Sequence, residues 1–111
     1  MEEYPNIGLN IGNEYKFYFP RDIMYCRAEG NYSYVHFANG LNTTSAKKLK
    51  DLEALLPPNI FIRIHHSYII NLMYVSKFIN DESHELIMKN GEKVTVSRRK
   101  KSIFLKKFMK L

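Results

Sequence analysis

The chain has 111 residues, 45% of them hydrophobic, and a net charge of +6. That length suits a single domain, and that apolar content excludes wholesale disorder. The one cysteine, Cys26, excludes an internal disulfide and fits a reducing cytosol; with no signal-peptide pattern and no apolar run near the ~20 residues of a membrane span, a cytoplasmic protein is expected.

Taken in chain order, period-two alternation dominates. Ile7, Leu9 and Ile11 alternate, so residues 1–13 read either as an extra strand or as a linker remnant ahead of a domain over 14–111. Tyr15, Phe17 and Phe19 alternate with Lys16 and Tyr18; Ile23, Tyr25 and Arg27 alternate with Met24, Cys26 and Ala28; the run from Asn31 to Phe37 alternates again. Each reads as a strand with one buried face. Abundant Tyr, Phe, Val and Ile point the same way. Asn39-Gly40 and Asn90-Gly91 predict hairpins closed by type I′ turns, which need positive φ at both positions.

Two segments switch to helical spacing. Over Lys47–Leu56, Leu49, Leu52, Leu55 and Leu56 form one stripe, with Lys47 and Lys48 on the solvated face. Ser45 is placed to cap the start, and Pro57-Pro58 stops the helix. Further strands are predicted near 60–64, 67–70, 74–80, 85–89 and 93–97. A second helix begins after Ser97, with Phe104, Phe108 and Leu111 on one face. The two helices lie about forty residues apart, which excludes a helix-turn-helix. The expected fold is mainly β and antiparallel, with two short helices.

Charge is unevenly spread. Residues 1–58 hold six Lys/Arg against seven Asp/Glu, and the rest holds eleven against four. Such asymmetry fits either a polyanionic partner met through the second half or a solvated basic tail. Catalysis finds little support: Cys26 sits in an apolar alternation as an inert buried thiol does, and no Gly-rich phosphate loop or carboxylate pair stands out. The histidines (36, 65, 66 and 84) lack metal-ligand spacing, so no metal or cofactor is expected. A basic β-rich module for RNA or protein is the alternative. An RNA-stacking surface would need aromatics exposed on one sheet face, whereas most here alternate as core residues do.

Four blocks then carry a family likeness. They are Asp22-Ile-Met-Tyr25 leading into Ala28-Glu-Gly-Asn-Tyr32, the amphipathic Leu49–Leu56, the block Phe61-Ile-Arg-Ile-His-His-Ser-Tyr-Ile-Ile-Asn71, and Gly91-Glu-Lys-Val-Thr-Val-Ser-Arg98. In this order and spacing the sequence resembles the LytTR family of DNA-binding domains over roughly residues 14 to 110. The resemblance implies an elongated, sandwich-like β-β-β fold that enters successive major grooves with loops and strand ends. It implies a bacterial transcriptional regulator of a two-component system, paired repeat sites on double-stranded DNA and a homodimer on that DNA; the family's usual receiver domain then lies in a longer parent chain, or the chain is a stand-alone regulator.

Carried over residue by residue, the resemblance makes Asn31, Ser33, His66 and Arg98 candidates for base contact. Tyr32, Lys47, Lys48, Arg99, Lys100 and Lys101 become candidates for phosphate contact. The chemistry of the residues agrees independently. Arginine can donate two parallel hydrogen bonds to guanine, a helix start favours phosphate, and clustered cations gain from counterion release. Because neighbouring strand residues point to opposite faces, His65 is assigned to the structural side and His66 to DNA. Arg63 could equally be a structural ion-pair partner, and Tyr32 and Tyr34 could equally pack on the sheet. Ser67, Tyr68 and Asn71 read as fold-determining.

Overall fold

In the computed structural model of the chain, residues 6–108 are described. They form β1 (Ile7–Ile11), β2 (Glu14–Tyr18), β3 (Ile23–Glu29), β4 (Tyr32–Phe37) and β5 (Asn42–Ser45), then α1 (Leu49–Leu55). There follow β6 (Phe61–His65), β7 (Tyr68–Asn71), β8 (Val75–Phe78), β9 (Glu85–Met88), β10 (Lys93–Thr95) and α2 (Arg98–Phe108). All pairings are antiparallel. They build a hairpin β1-β2, a central sheet β5-β4-β3-β7-β6, and a third sheet β10-β9-β8.

The central sheet is apolar on both faces, and this organises the molecule. On one face Ile23, Cys26, Val35, Phe37, Phe61 and Ile69 meet Ile7 and Leu9 of the hairpin and Leu49, Leu52 and Leu56 from α1 and its end. On the other, Met24, Tyr25, Ile62, Ile64 and Ile70 meet Val75, Leu86, Met88, Val94, Val96 and the fully buried Phe104 of α2. The result is the expected sandwich of three β layers, with extents of 43 × 36 × 24 Å. No helix among the described residues is long and apolar enough to cross a membrane.

Sheets covered on both faces need continuous apolar runs instead of alternation. That corrects the expectation of one buried face for β3, where Ile23 to Cys26 are buried in succession. A bulge between Ile23 and Tyr25 lets Met24 and Tyr25 both serve the second core. At the N-terminus the alternation of Ile7, Leu9 and Ile11 forms strand β1, with Leu9 fully buried in the first core. Met1–Pro5 of that segment, and Leu111 of the predicted α2 face, lie outside the described residues.

The two Asn-Gly hairpins form with a different turn. Positive φ occurs at Gly40 (91°) and Gly91 (89°) and not at the asparagines. Gly40 N donates to Phe37 O at 3.0 Å and Phe37 N to Leu41 O at 2.9 Å; Met88, Gly91 and Glu92 repeat the pattern at 2.9 Å for both bonds. These are three-residue loops, a type I turn ended by a left-handed glycine, in place of type I′. Each asparagine stabilises its loop by accepting a hydrogen bond from the backbone two residues on, Asn39 Oδ1 from Leu41 N and Asn90 Oδ1 from Glu92 N, both at 3.0 Å.

The first helix is shorter than predicted. Ser45 lies in β5 opposite Ser33 and does not cap it; Lys48, in extended conformation, precedes the helix without a side-chain cap. Lys47 and Lys48 therefore sit on the connection into α1 and not on its face. Leu56, ahead of two prolines, turns extended and ends α1.

Candidate nucleic-acid interface

Antiparallel register decides which connections share an end of the central sheet. Gly30-Asn31 turns β3 into β4, closing on the pair Glu29 and Tyr32. Beside it, Arg27 pairs with Tyr68, and Ala28 N donates to Ser67 O at 2.8 Å, which sets the β6–β7 turn against the β3–β4 turn. Ser33 Oγ donates to Lys47 O at 2.7 Å and draws in the β5–α1 connection. Ser97 N donates to Ile64 O at 2.8 Å and fixes the start of α2 next to the end of β6. Segments from four places in the sequence thus meet at one end. The opposite end holds the Asn39-Gly40 loop, and there the Asn90-Gly91 loop meets β4 through Asn90 Nδ2 and His36 Nε2 at 3.3 Å.

Most of the candidate contact residues stand at this end. Asn31, Lys48, His66, Arg98 and Arg99 are exposed, Lys47, Lys100 and Lys101 are half-buried, and Tyr32 is 56% exposed. Ser33 is a correction. It is fully buried, because the strand period that turns Tyr32 outward turns Ser33 inward, and its hydroxyl is committed to Lys47 O. It holds the connection and is not presented to a groove.

The two histidines are a second correction. A register shift lies between Arg63 and His65 and the strand ends at His65, so alternation no longer separates the side chains. Their rings lie 4.3 Å apart at 32°. His65 Nδ1 accepts from Ser67 N at 3.1 Å, which requires that nitrogen to be unprotonated. Burial, followed by the neighbouring His66, lowers the His65 pKa. His66 remains the exposed member of the pair.

Arg63 is the residue that sequence reasoning undervalued. Its Nη2 donates to His66 O at 2.6 Å and its Nε to His65 O at 3.3 Å, while Nη1 meets Glu53 Oε1 of α1 at 3.2 Å. One guanidinium thereby clamps the His65-His66 turn to α1. The clue was an arginine between Ile62 and Ile64, just ahead of the paired histidines. Arg27 was also missed: it lies 4.5 Å over the Tyr34 ring and 3.2 Å from Glu29, stiffening the hairpin that carries Asn31. Tyr34 packs on the sheet.

The remaining chemistry is structural. Cys26 is buried and burial pushes its thiol up to about 12, the state of an inert cysteine. Asn71, fully buried, donates from Nδ2 to Ile23 O at 2.9 Å and accepts at Oδ1 from Met73 N at 2.9 Å, tying β7 to β3.

The family model for the LytTr DNA-binding domain matches residues 13–109. The chain belongs to the LytTr DNA-binding domain family. Within it, this LytTr chain is 34% identical over 95 residues to the CO-responsive transcriptional regulator RcoM of Rhodospirillum rubrum, covering 83% of the chain and 40% of RcoM. It is 31% identical over 94 residues to the sensory transduction protein LytT of Bacillus subtilis, covering 83% and 39% respectively. A solved LytTr DNA-binding domain from Bacillus cereus superposes with a TM-score of 0.79 at 30% identity, over 95% of this chain and 97% of that one. The LytTr chain spans about 40% of the length of these curated regulators. It is a DNA-binding domain, and the exposed cations among its candidate residues stand on the β5–α1 connection and at the start of α2.

Proposed function

We propose that this domain reads duplex DNA with sequence preference, as the DNA-binding part of a bacterial transcriptional regulator, through the gathered end of its central sheet. Asn31, His66 and Arg98 face base edges in the major groove; Tyr32, Lys47, Lys48, Arg99, Lys100 and Lys101 hold phosphates on either side. The observation that carries this reading is the convergence of four separate connections, bearing both the polar readers and the cations, on one end of one rigid sheet. Arg98 and Arg99 open α2, where backbone N–H groups add to the attraction for phosphate.

RcoM and LytT are described as a transcriptional regulator and a sensory transduction protein, and both are longer than this chain. The proposal therefore includes a sensor or receiver domain in the same parent protein, a cytoplasmic setting, and paired repeats bound by two copies. Selection from a random-sequence duplex library, followed by anisotropy titration, tests it. Enrichment of a repeated motif is expected. No enriched motif, with equal affinity for single-stranded RNA, would favour the basic interaction module instead.

A further inference from the structure

Helix α2 lies along the edge of the central sheet without closing on it. Strand β6 is the last strand on that side. Ser97 N donates to Ile64 O near one end of β6, and Lys107 Nζ donates to Pro58 O near the other, so α2 is pinned at both ends. Between the pins a cleft of about 180 Å³ remains, bounded by α2, β6 and the end of α1. A cavity of ~150 Å³ accepts a benzene ring, so this one has room for a small organic molecule.

Its lining says which kind. Leu56 and Phe61, both buried in the first core, make the floor. The walls carry Arg63, Lys100 and Lys107 against a single acid, Glu53. Glu53 already meets Arg63 at 3.2 Å, so the two lysines hold the excess charge. Lys107 spends one donor on Pro58 O and an ammonium has three. Lys100, Ile103 and Lys107 stand at i, i+3 and i+7 and share one face of α2. The helical rise sets the two lysine positions about 10 Å apart, and Ile103 between them is 48% exposed. Cation, apolar side chain, cation is the complement of a molecule with an anion at each end and an apolar middle. We propose that this cleft binds a linear aliphatic dicarboxylate, one carboxylate on Lys100 and the other on Lys107, with the chain over Ile103. Its two negative charges match the two lysines that Glu53 leaves over.

The site bears on DNA through Lys100, and that part rests on the DNA-binding reading above. Lys100 is one of the phosphate anchors proposed there, so a carboxylate held on its ammonium competes with the duplex. Occupancy should weaken DNA binding about five-fold, the worth of one phosphate contact at physiological salt. Because coupling is reciprocal, DNA weakens the dicarboxylate by the same factor. The cleft is thus an effector site that lowers affinity when filled.

Amide NMR shifts of the free chain, titrated with sodium suberate against sodium chloride of equal ionic strength, test the site without DNA. Suberate is chosen because its extended chain sets its carboxylates at a comparable separation. Saturable shifts are expected at Arg63, Lys100, Ile103 and Lys107. Octanoate, with one carboxylate, and the variant Lys107→Met should each weaken binding by about five-fold, the upper range for one exposed ion pair. Lys106→Met removes an exposed neighbouring charge outside the cleft and should leave suberate binding unchanged. Both variants should bind the selected duplex as wild type does in chloride, which also reports that they fold. Shifts that do not saturate, equal affinity for octanoate, or equal losses in the two variants overturn the site and leave the lysines as a solvated face. Saturation of the cleft with no loss of duplex affinity relative to chloride overturns the effector role. Failure of wild type to bind any duplex in chloride overturns the DNA-binding reading, and the titration of the free chain still decides the site.

Discussion

Arg63 shows how the proposed reading surface is shaped by a residue that need never touch DNA. Its guanidinium holds the carbonyls of His65 and His66, so Arg63→Lys keeps the charge but loses the fork. Affinity should drop several-fold while the salt dependence stays as in wild type; a changed salt slope would mean that Arg63 meets phosphate. Arg98→Ala should relax preference at one base position at a cost of about 1–3 kcal/mol, whereas Lys100→Ala should weaken all sequences alike and lower the salt slope by about one unit. Identical behaviour of the two variants in a binding-site selection would remove the division between base readers and phosphate anchors. His65 supplies a pH dependence. Its folded pKa is lowered by burial and then by His66, so the unfolded chain takes up a proton that the folded chain refuses. The stability present above the ordinary value of 6.5 is lost as pH falls from there toward the lowered folded value. Asparagine can keep the acceptor for Ser67 N without titrating. The urea midpoint of wild type should therefore fall more steeply between about pH 7.5 and 5.5 than that of His65→Asn, and parallel curves would contradict this origin.

At the scale of elements, cross-links from single side chains decide how the layers hold together. Asn71 joins the end of β7 to Ile23 O of β3 and to Met73 N, so Asn71→Ala leaves buried polar groups unpaired. It should cost about 2–3 kcal/mol, measured as a lower denaturation midpoint with unchanged m-value. Asn71, and most strands, were legible because their residue types and periods are local properties. The predicted strands near 60–64, 67–70, 85–89 and 93–97 lie within two residues of the observed ones. What was not legible depends on neighbours. The one-residue bulge at the start of β3 and the one before His65 reset which side chains share a face; no period in the sequence records such a shift. Ser45 looked like a cap for the amphipathic stripe behind it, but the pairing of Ser45 with Ser33 held the chain in β5. The Asn-Gly pairs marked both hairpins correctly and misassigned the turn, because one added residue in each loop places only the glycine in left-handed conformation. Likewise the candidate contact residues could be picked by type; the alternation that buries Ser33 with Val35 and Phe37 was itself legible, and only the bond from its hydroxyl to Lys47 O was not.

For the whole molecule, the separation of its parts matters most. The cationic surface and the two cores occupy different regions, so long-range charge acts on binding and not on folding. With Lys47, Lys48, Arg99, Lys100 and Lys101 on phosphates, the slope of log K against log salt should be about −4.5, a loss of roughly 500-fold between 50 and 200 mM. A slope near −1 in the same titration would leave most of these cations out of the interface. The anchors that gather the reading end carry a further consequence. Ala28 N to Ser67 O and Ser97 N to Ile64 O are bonds between backbones, and neither involves the side chain of Asn31, His66 or Arg98. Those three positions can be rewritten without disturbing what holds them in place. On the proposed reading, a lineage of such domains can drift from one operator to another by exchanging a few surface letters on an unchanged scaffold, and recoding this one for a chosen DNA site would need substitutions at those positions instead of a new fold.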